Sequence, residues 1–240
     1  MNERELVFTE AERLKHAMIS DLEGRMGLLG FREPQPASGV DGIRFAKNEK
    51  AIPSASMVVE VRFTRHPRGG LQVNSWAKIE SRSVLEIHSA LPPAALLKDG
   101  ELLRDFVDRI DFDILVNPID PMSLRPVLDL GGMEIRGEWI AKTVAGPVDD
   151  WFMKRDSLEK LIELAKLVPI KGGSRKVSPG RLRGVVLLCL VNEMWDIAAS
   201  LMDWYVMLDS YNVLDSPERI AEFDKALKSR FGQYEALRSS

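Results

Sequence analysis

Residues Ser178 to Asp209 constrain this chain more than any other stretch, because a helical region there changes character halfway along. Gly184 to Val191 (GVVLLCLV) is apolar on every side, and a helix tolerates that only when protein or lipid surrounds it. Beyond Asn192 the pattern turns amphipathic. Met194, Trp195, Ala198, Leu201, Met202, Tyr205 and Leu208 make one stripe, and Asp196, Ser200, Asp203 and Ser210 make the opposite one. The apolar run is too short for a membrane span, and Glu193 and Asp196 follow it at once. Its expected surrounding is therefore protein: a buried hub with an acidic face beside it.

A chain of 240 residues suits one large domain or two small ones. An apolar content of 45% and a charged content of 29% are ordinary for a globular protein. The net charge of −3 excludes a globally basic nucleic-acid binder while leaving local basic patches open. Cys189 is the single cysteine, so no intramolecular disulfide forms and a reducing compartment is expected. The N-terminus, MNERELVFTEAERLK, is charged and lacks the apolar core of a signal peptide. A cytoplasmic location without membrane attachment is the expectation.

Thr9 to Leu29 has helical spacing in Leu14, Met18, Leu22, Met26 and Leu29, with Thr9 and Glu12 in a capping-box pattern. Gly30 stands where a helix C-terminal glycine belongs, followed by Phe31. Strands are expected at Ile43–Lys47, at Met57–Arg65 with Glu60, Arg62 and Thr64 outward, at Leu71–Ile79, and at Val84–Ala90. Trp76 falls with Gln72 and Asn74 on the outward face. Helical spacing returns over Asp99–Arg109, and Val127–Arg136 reads as a hairpin turning at Gly131-Gly132. Asp156 with Glu159 opens a helix to Val168, and Ser178-Pro179 and Ser216-Pro217 open two more, the last running to Phe231. The fold class is α+β: an N-terminal helix packed on an antiparallel β-meander, then a C-terminal helical bundle. Residues 1–148 form the α+β domain, and residues 149–240 form the helical C-terminal region, packed on the first part.

Four groups of residues bear on chemistry. Asp111-Phe112-Asp113, if on a strand, points two carboxylates to one side, as a divalent cation requires. Yet the Gly-Ser turn that precedes such a pair in nucleotidyltransferases here lies downstream, at Gly173-Ser174, and Asp105, Asp108, Asp111 and Asp113 read equally as a solvated helix end. Neither a metal nor a cofactor is assigned, and no residue is assigned as catalytic. Glu86 and His88 share one face of the expected strand as a surface pair. Lys171, Arg175, Lys176, Arg181 and Arg183 follow one another with no acid between them. With Gly172-Gly173-Ser174 and a helix start at Pro179, they supply the ingredients of an anion site, of which Lys171, Arg175, Lys176 and Arg181 are the candidates. From Glu193 to Asp224, eight acidic residues stand against one basic residue, Arg219. Glu193, Asp196 and Asp203, placed on one helix face, and Trp76 on the sheet are the candidate partner-binding residues.

The order of Leu29-Gly30-Phe31, a short strand with Ile43 and Phe45, and a long alternating strand pair resembles small bacterial α+β domains of unknown function found among polymorphic-toxin immunity proteins. That resemblance spans residues 9–90, rests on pattern, and implies action by binding rather than catalysis. The leading expectation is thus a non-enzymatic, immunity-like module that binds a protein partner with a basic surface, nucleic acid being disfavoured. One rival is a metal-dependent enzyme acting on a phosphorylated or nucleotide substrate through Asp111, Asp113 and the basic loop. Another is a self-associating structural protein, the oligomeric state being open.

Overall fold

A computed structural model of the chain describes residues 3–32, 34–37, 41–47, 52–67, 69–97, 106–116, 125–166, 179–207 and 215–239, with side chains in the first helix from Glu10 onward. Among these the architecture is α+β: an N-terminal helix, a five-stranded antiparallel sheet, then C-terminal helices. The lead helix α1 (Glu3–Leu28) starts before the expected Thr9, because Glu3, Arg4, Glu5 and Leu6 are good helix formers that extend it backward. Leu14, Met18, Leu22 and Met26 are fully buried, as their spacing requires. The helix ends as Phe31 N–H returns to the Met26 carbonyl at 3.0 Å and Gly30 N–H to Gly27 at 3.1 Å. Gly30, at φ +83, supplies the left-handed residue of that closure.

Strands β1 (Gln35–Pro36), β2 (Gly42–Lys47), β3 (Ser56–Arg65), β4 (Leu71–Glu80) and β5 (Phe106–Asp111) lie side by side in chain order. The β2–β3 register pairs Phe45 with Val59 and Arg44 with Glu60. Val59, Val61 and Phe63 are buried as alternation predicts, but Glu60, expected outward, is 3% exposed. Both sheet faces are buried at that point, and Glu60 is bonded there by Lys78 Nζ and by Arg62 Nε.

Three expected elements change type. Val84–Ala90 is no strand: α2 (Arg82–Ser89) is a helix whose N-cap Ser81 accepts the Val84 N–H at 3.3 Å. Its buried residues Val84, Ile87 and His88 recur at helical spacing, which an eight-residue window does not separate from alternation. Phe106–Arg109, read as the end of a helix, is the start of β5, and residues 98–105 lie outside the described residues. The Gly131-Gly132 hairpin is instead the first turn of α4 (Leu130–Thr143), where Asp129 Oδ1 accepts the Gly132 N–H at 2.7 Å. Between β5 and α4 lies α3 (Phe112–Val116). A π-helical segment, Val144–Val148, then leads into α5 (Asp149–Met153). The next helix, α6 (Leu158–Ala165), is capped by Ser157 rather than Asp156 and ends before Val168.

The chain divides into two compact units. The first gathers Met1–Glu49, Ser56–Lys78 and Arg109–Lys154, so Asp149–Lys154 groups with it. Here α4 packs along α1, Phe31 meets Phe152 with ring centroids 6.5 Å apart, and Val127 bridges to Leu71. The second unit gathers Lys50–Ala55, Ile79–Asp108 and Arg155–Ser240. At its centre is α7 (Pro179–Val191), against which α2, α6 and the following helix α8 (Trp195–Val206) pack. Leu182 and every residue from Val185 to Leu190 are at most 1% exposed, so the all-round apolar run is the hub its composition demands. Gly184 admits β5: a Cβ there would meet the Val107 carbonyl oxygen at 2.6 Å and Cα at 2.8 Å. Two more helices, α9 (Pro217–Arg230) and α10 (Gly232–Arg238), close the unit, with Ser216 capping α9 as expected. No helix among the described residues is long and apolar enough to cross a membrane.

Candidate functional site

The acids of the second unit fall into two kinds, and the division follows from what each carboxylate touches. Asp215, 1% exposed, takes Arg183 Nε at 2.9 Å and Nη2 at 2.7 Å, and also accepts the Tyr205 hydroxyl. Arg183, itself buried, donates to the Ala95 carbonyl and lies 4.3 Å over the Phe223 ring. Burial pushes the Asp215 carboxyl up, against the pull of Arg183. Asp224 accepts the Tyr234 hydroxyl at 2.5 Å, Arg238 Nε at 3.1 Å and Lys228 Nζ at 2.9 Å. Asp108 receives two guanidinium groups on one oxygen, Arg155 Nε at 2.7 Å and Arg181 Nε at 2.9 Å. Desolvation holds the Arg155 guanidinium below the ordinary arginine range. These carboxylates are anchors of the fold.

Glu193 and Asp196 belong to the second kind. Helix α7 ends as Met194 N–H bonds to the Cys189 carbonyl at 2.9 Å and Glu193 N–H to Leu190 at 3.2 Å. That closure places Glu193 at φ +59, in the left-handed region where glycine is usual. Its carboxylate is exposed. The turn is pinned from outside: Ser54, also left-handed at φ +61, donates to Asn192 Oδ1 at 3.3 Å, and Asn192 Nδ2 donates to the Pro53 carbonyl at 3.3 Å. Helix α8 then buries Ala198, Ala199, Leu201, Met202 and Tyr205, and turns Asp196, Ser200, Asp203, Val206 and Met207 outward. Met207 is 79% exposed. The outer side of this element is thus acidic at its start and apolar at its end.

The sequence-derived residues fare unevenly. Glu193 does not share a helix face with Asp196 and Asp203, because it lies in the turn before α8. Asp203 is on the outward face but already engages Arg238. Trp76 belongs to the first unit, is half-buried, and carries the Arg62 guanidinium 4.9 Å over its ring. Of the anion candidates, Arg181 is bound to Asp108, and Lys171, Arg175 and Lys176 lie outside the described residues. Glu86 and His88 do not pair: on α2 Glu86 is exposed beside Arg82, while His88 points into the buried side. Cys189 is fully buried and its thiol is pushed up to about 12, in keeping with a packing role. The anchoring roles of Asp215 and Asp224 were not legible, since each depends on a partner distant in sequence or on the unforeseen helix α10.

Asp111 and Asp113 do not stand on one strand. Asp111 ends β5 and Asp113 lies in the first turn of α3, so alternation no longer aligns them. Among the described residues no group of three or more His, Cys, Asp or Glu side chains converges as a metal-ligand set. Oδ1 of Asp111 is buried with no hydrogen-bond partner among the described residues, and burial raises its pKa, against the charge of Arg109 and with a smaller push from Asp113. A carboxyl raised in the folded state binds its proton more tightly than in the unfolded chain. Stability therefore falls as pH rises from the ordinary aspartate range through the raised value. Asp111→Asn should raise the thermal midpoint at about pH 7, with the gain vanishing near pH 3, where the wild-type group is protonated in both states. An unchanged or lower midpoint at neutral pH would contradict this.

In comparisons with known proteins, no family model, no curated protein and no solved structure matches the chain.

Proposed function

We propose that this chain is a non-catalytic protein-binding module whose contact surface is the α7–α8 turn and the outward side of α8. Its partner presents a basic surface. The carrying observation is Glu193. A non-glycine residue in the left-handed region costs roughly 1–2 kcal/mol, and such strain marks positions where a side chain serves something other than folding. Glu193 keeps an exposed carboxylate there, one turn from exposed Asp196, on an element held firmly by the α7 hub. The exposed Val206 and Met207 add apolar area to the same element. Trp76 is a weaker candidate, because Arg62 occupies a face of its ring. The immunity-like resemblance of residues 9–90 and a cytoplasmic setting, inferred from the lone buried Cys189, belong to the same reading.

Affinity capture from the native host tests it. The wild-type chain should retain a basic protein that salt releases, since exposed charges are screened within about 10 Å at 0.1 M ionic strength. The Glu193→Lys/Asp196→Lys variant should lose that protein while keeping its circular dichroism spectrum. Equal retention by both chains, or no salt-sensitive partner for either, would sink the proposal.

A further inference from the structure

We propose that Asn192 is a positioning residue of the partner surface. Its side-chain amide clasps the turn over Ile52–Ala55 to the end of α7, and so adds exposed Pro53 and Ser54 to that surface beside the Asn192–Glu193 turn. This deepens, and rests on, the reading of the α7–α8 turn as partner-facing.

Ser54 and Glu193 are the only non-glycine residues with positive φ among the described residues, at +61 and +59. Each stands where glycine is usual. Ser54 is the third residue of a turn closed by the Ala55 N–H on the Ile52 carbonyl at 3.3 Å, and Glu193 follows the end of α7. Asn192 joins the two. Its Nδ2 donates to the Leu188 carbonyl at 2.8 Å and to the Pro53 carbonyl at 3.3 Å, and its Oδ1 accepts the Ser54 hydroxyl at 3.3 Å. Both amide hydrogens are thus engaged, one on the last turn of α7 and one on a turn remote in sequence. Ile52, 3% exposed, roots that remote turn in the interior.

The side chains kept at the two left-handed positions have different uses. Glycine at position 54 would lose the hydroxyl that meets Asn192. Glycine at position 193 would lose an exposed carboxylate that no hydrogen bond or ion pair engages among the described residues. Without a glycine there, the left-handed conformation persists only where its surroundings over-determine it. The closing bonds of α7 supply part of that hold, and the clasp supplies the rest from outside the helix. A turn ordered in advance does not have to be ordered on binding, and the affinity is higher for it. Asn192 thus acts through Glu193 rather than by touching the partner.

The test reads amide hydrogen exchange of Glu193 and Met194 in the full chain, where their N–H groups close α7 on the Leu190 and Cys189 carbonyls. Ser54→Ala removes one arm of the clasp and leaves Asn192 on Leu188, so it separates positioning from helix capping. Exchange at both amides should speed up about three- to tenfold, the fold-change of one net hydrogen bond. Asn192→Ala should speed it further, with the Leu187 and Leu188 amides unchanged. In a Glu193→Gly chain, where glycine holds the turn unaided, Ser54→Ala should leave Met194 exchange as it was. Unchanged exchange in Ser54→Ala overturns the proposal, and so does equal acceleration in the glycine background, which would mark a merely structural bond. The basic protein purified from the wild-type capture should leave immobilised Ser54→Ala chain at lower salt than wild type; release at the same salt also overturns the proposal. Faster exchange with no salt-sensitive partner for any chain overturns the partner reading, and this proposal with it. A partner lost by Glu193→Lys/Asp196→Lys but held as tightly by Ser54→Ala as by wild type removes this inference alone.

Discussion

Leu188→Asp should leave the second unit without a folded state, and Leu187→Asp should do the same. Both leucines sit in α7 at no more than 1% exposure, with α2, α6 and α8 packed on that helix. The substitution forfeits about 2–3 kcal/mol of side-chain burial and places a carboxylate in an apolar interior, where Arg183, one turn before Leu187, is already paired with Asp215. Such a group either ionises at a cost of several kcal/mol or takes up a proton at neutral pH, and both routes destabilise the native state. Total stabilities of about 5–15 kcal/mol leave little to absorb the sum. Circular dichroism should show loss of helix, and the protein should be recovered mainly as aggregate. Soluble Leu188→Asp with a cooperative unfolding transition would show that α7 is not the hub.

Asp215→Ala should be nearly as damaging, for a different reason. Arg183 would keep the Ala95 carbonyl and the Phe223 ring, but its charge, 5% exposed, would lose its only carboxylate among the described residues. Breaking a buried pair from one side costs about 3–5 kcal/mol. The double variant Arg183→Met/Asp215→Leu should recover more than half of that loss, because removing both charges also removes their desolvation cost. Burial raises the Asp215 carboxyl even with Arg183 bonded to it, in keeping with a desolvation cost that the double variant would remove. Urea denaturation of the two proteins provides the check. A double variant no more stable than Asp215→Ala would mean that the pair contributes net stability beyond mutual neutralisation.

Part of this fold was legible because certain patterns admit one solution. Gly184–Val191 has no polar face, so burial follows whatever surrounds it. Strands β3 and β4 alternate over enough residues for the period to be unambiguous. Where a segment is short, the periods converge: Val84, Ile87 and His88 fit α2 only once Ser81 is seen capping it. Gly131-Gly132 fits a hairpin until Asp129 is seen bonded to Gly132. Alternation put Glu60 on the face opposite Val59 but is silent on whether that face is covered. The acidic region was legible as composition alone. Asp203, Asp215 and Asp224 look like Glu193 and Asp196 until Arg183 and Arg238 are found on them, and those arginines lie beyond any local motif.

On the proposed function, these acids divide into anchors of the fold and residues that face a partner. A neutralisation series, Asp215→Asn, Asp224→Asn, Asp196→Asn and Glu193→Gln, tests that division, with each variant assayed for denaturation midpoint and for retention of the captured partner. Asp215→Asn and Asp224→Asn should lower the midpoint sharply. Asp196→Asn and Glu193→Gln should keep stability within about 1 kcal/mol, the size of a helix-terminus charge effect, and should weaken retention. Loss of midpoint at Asp196 or Glu193 equal to that at Asp215, with retention unchanged, would contradict the account.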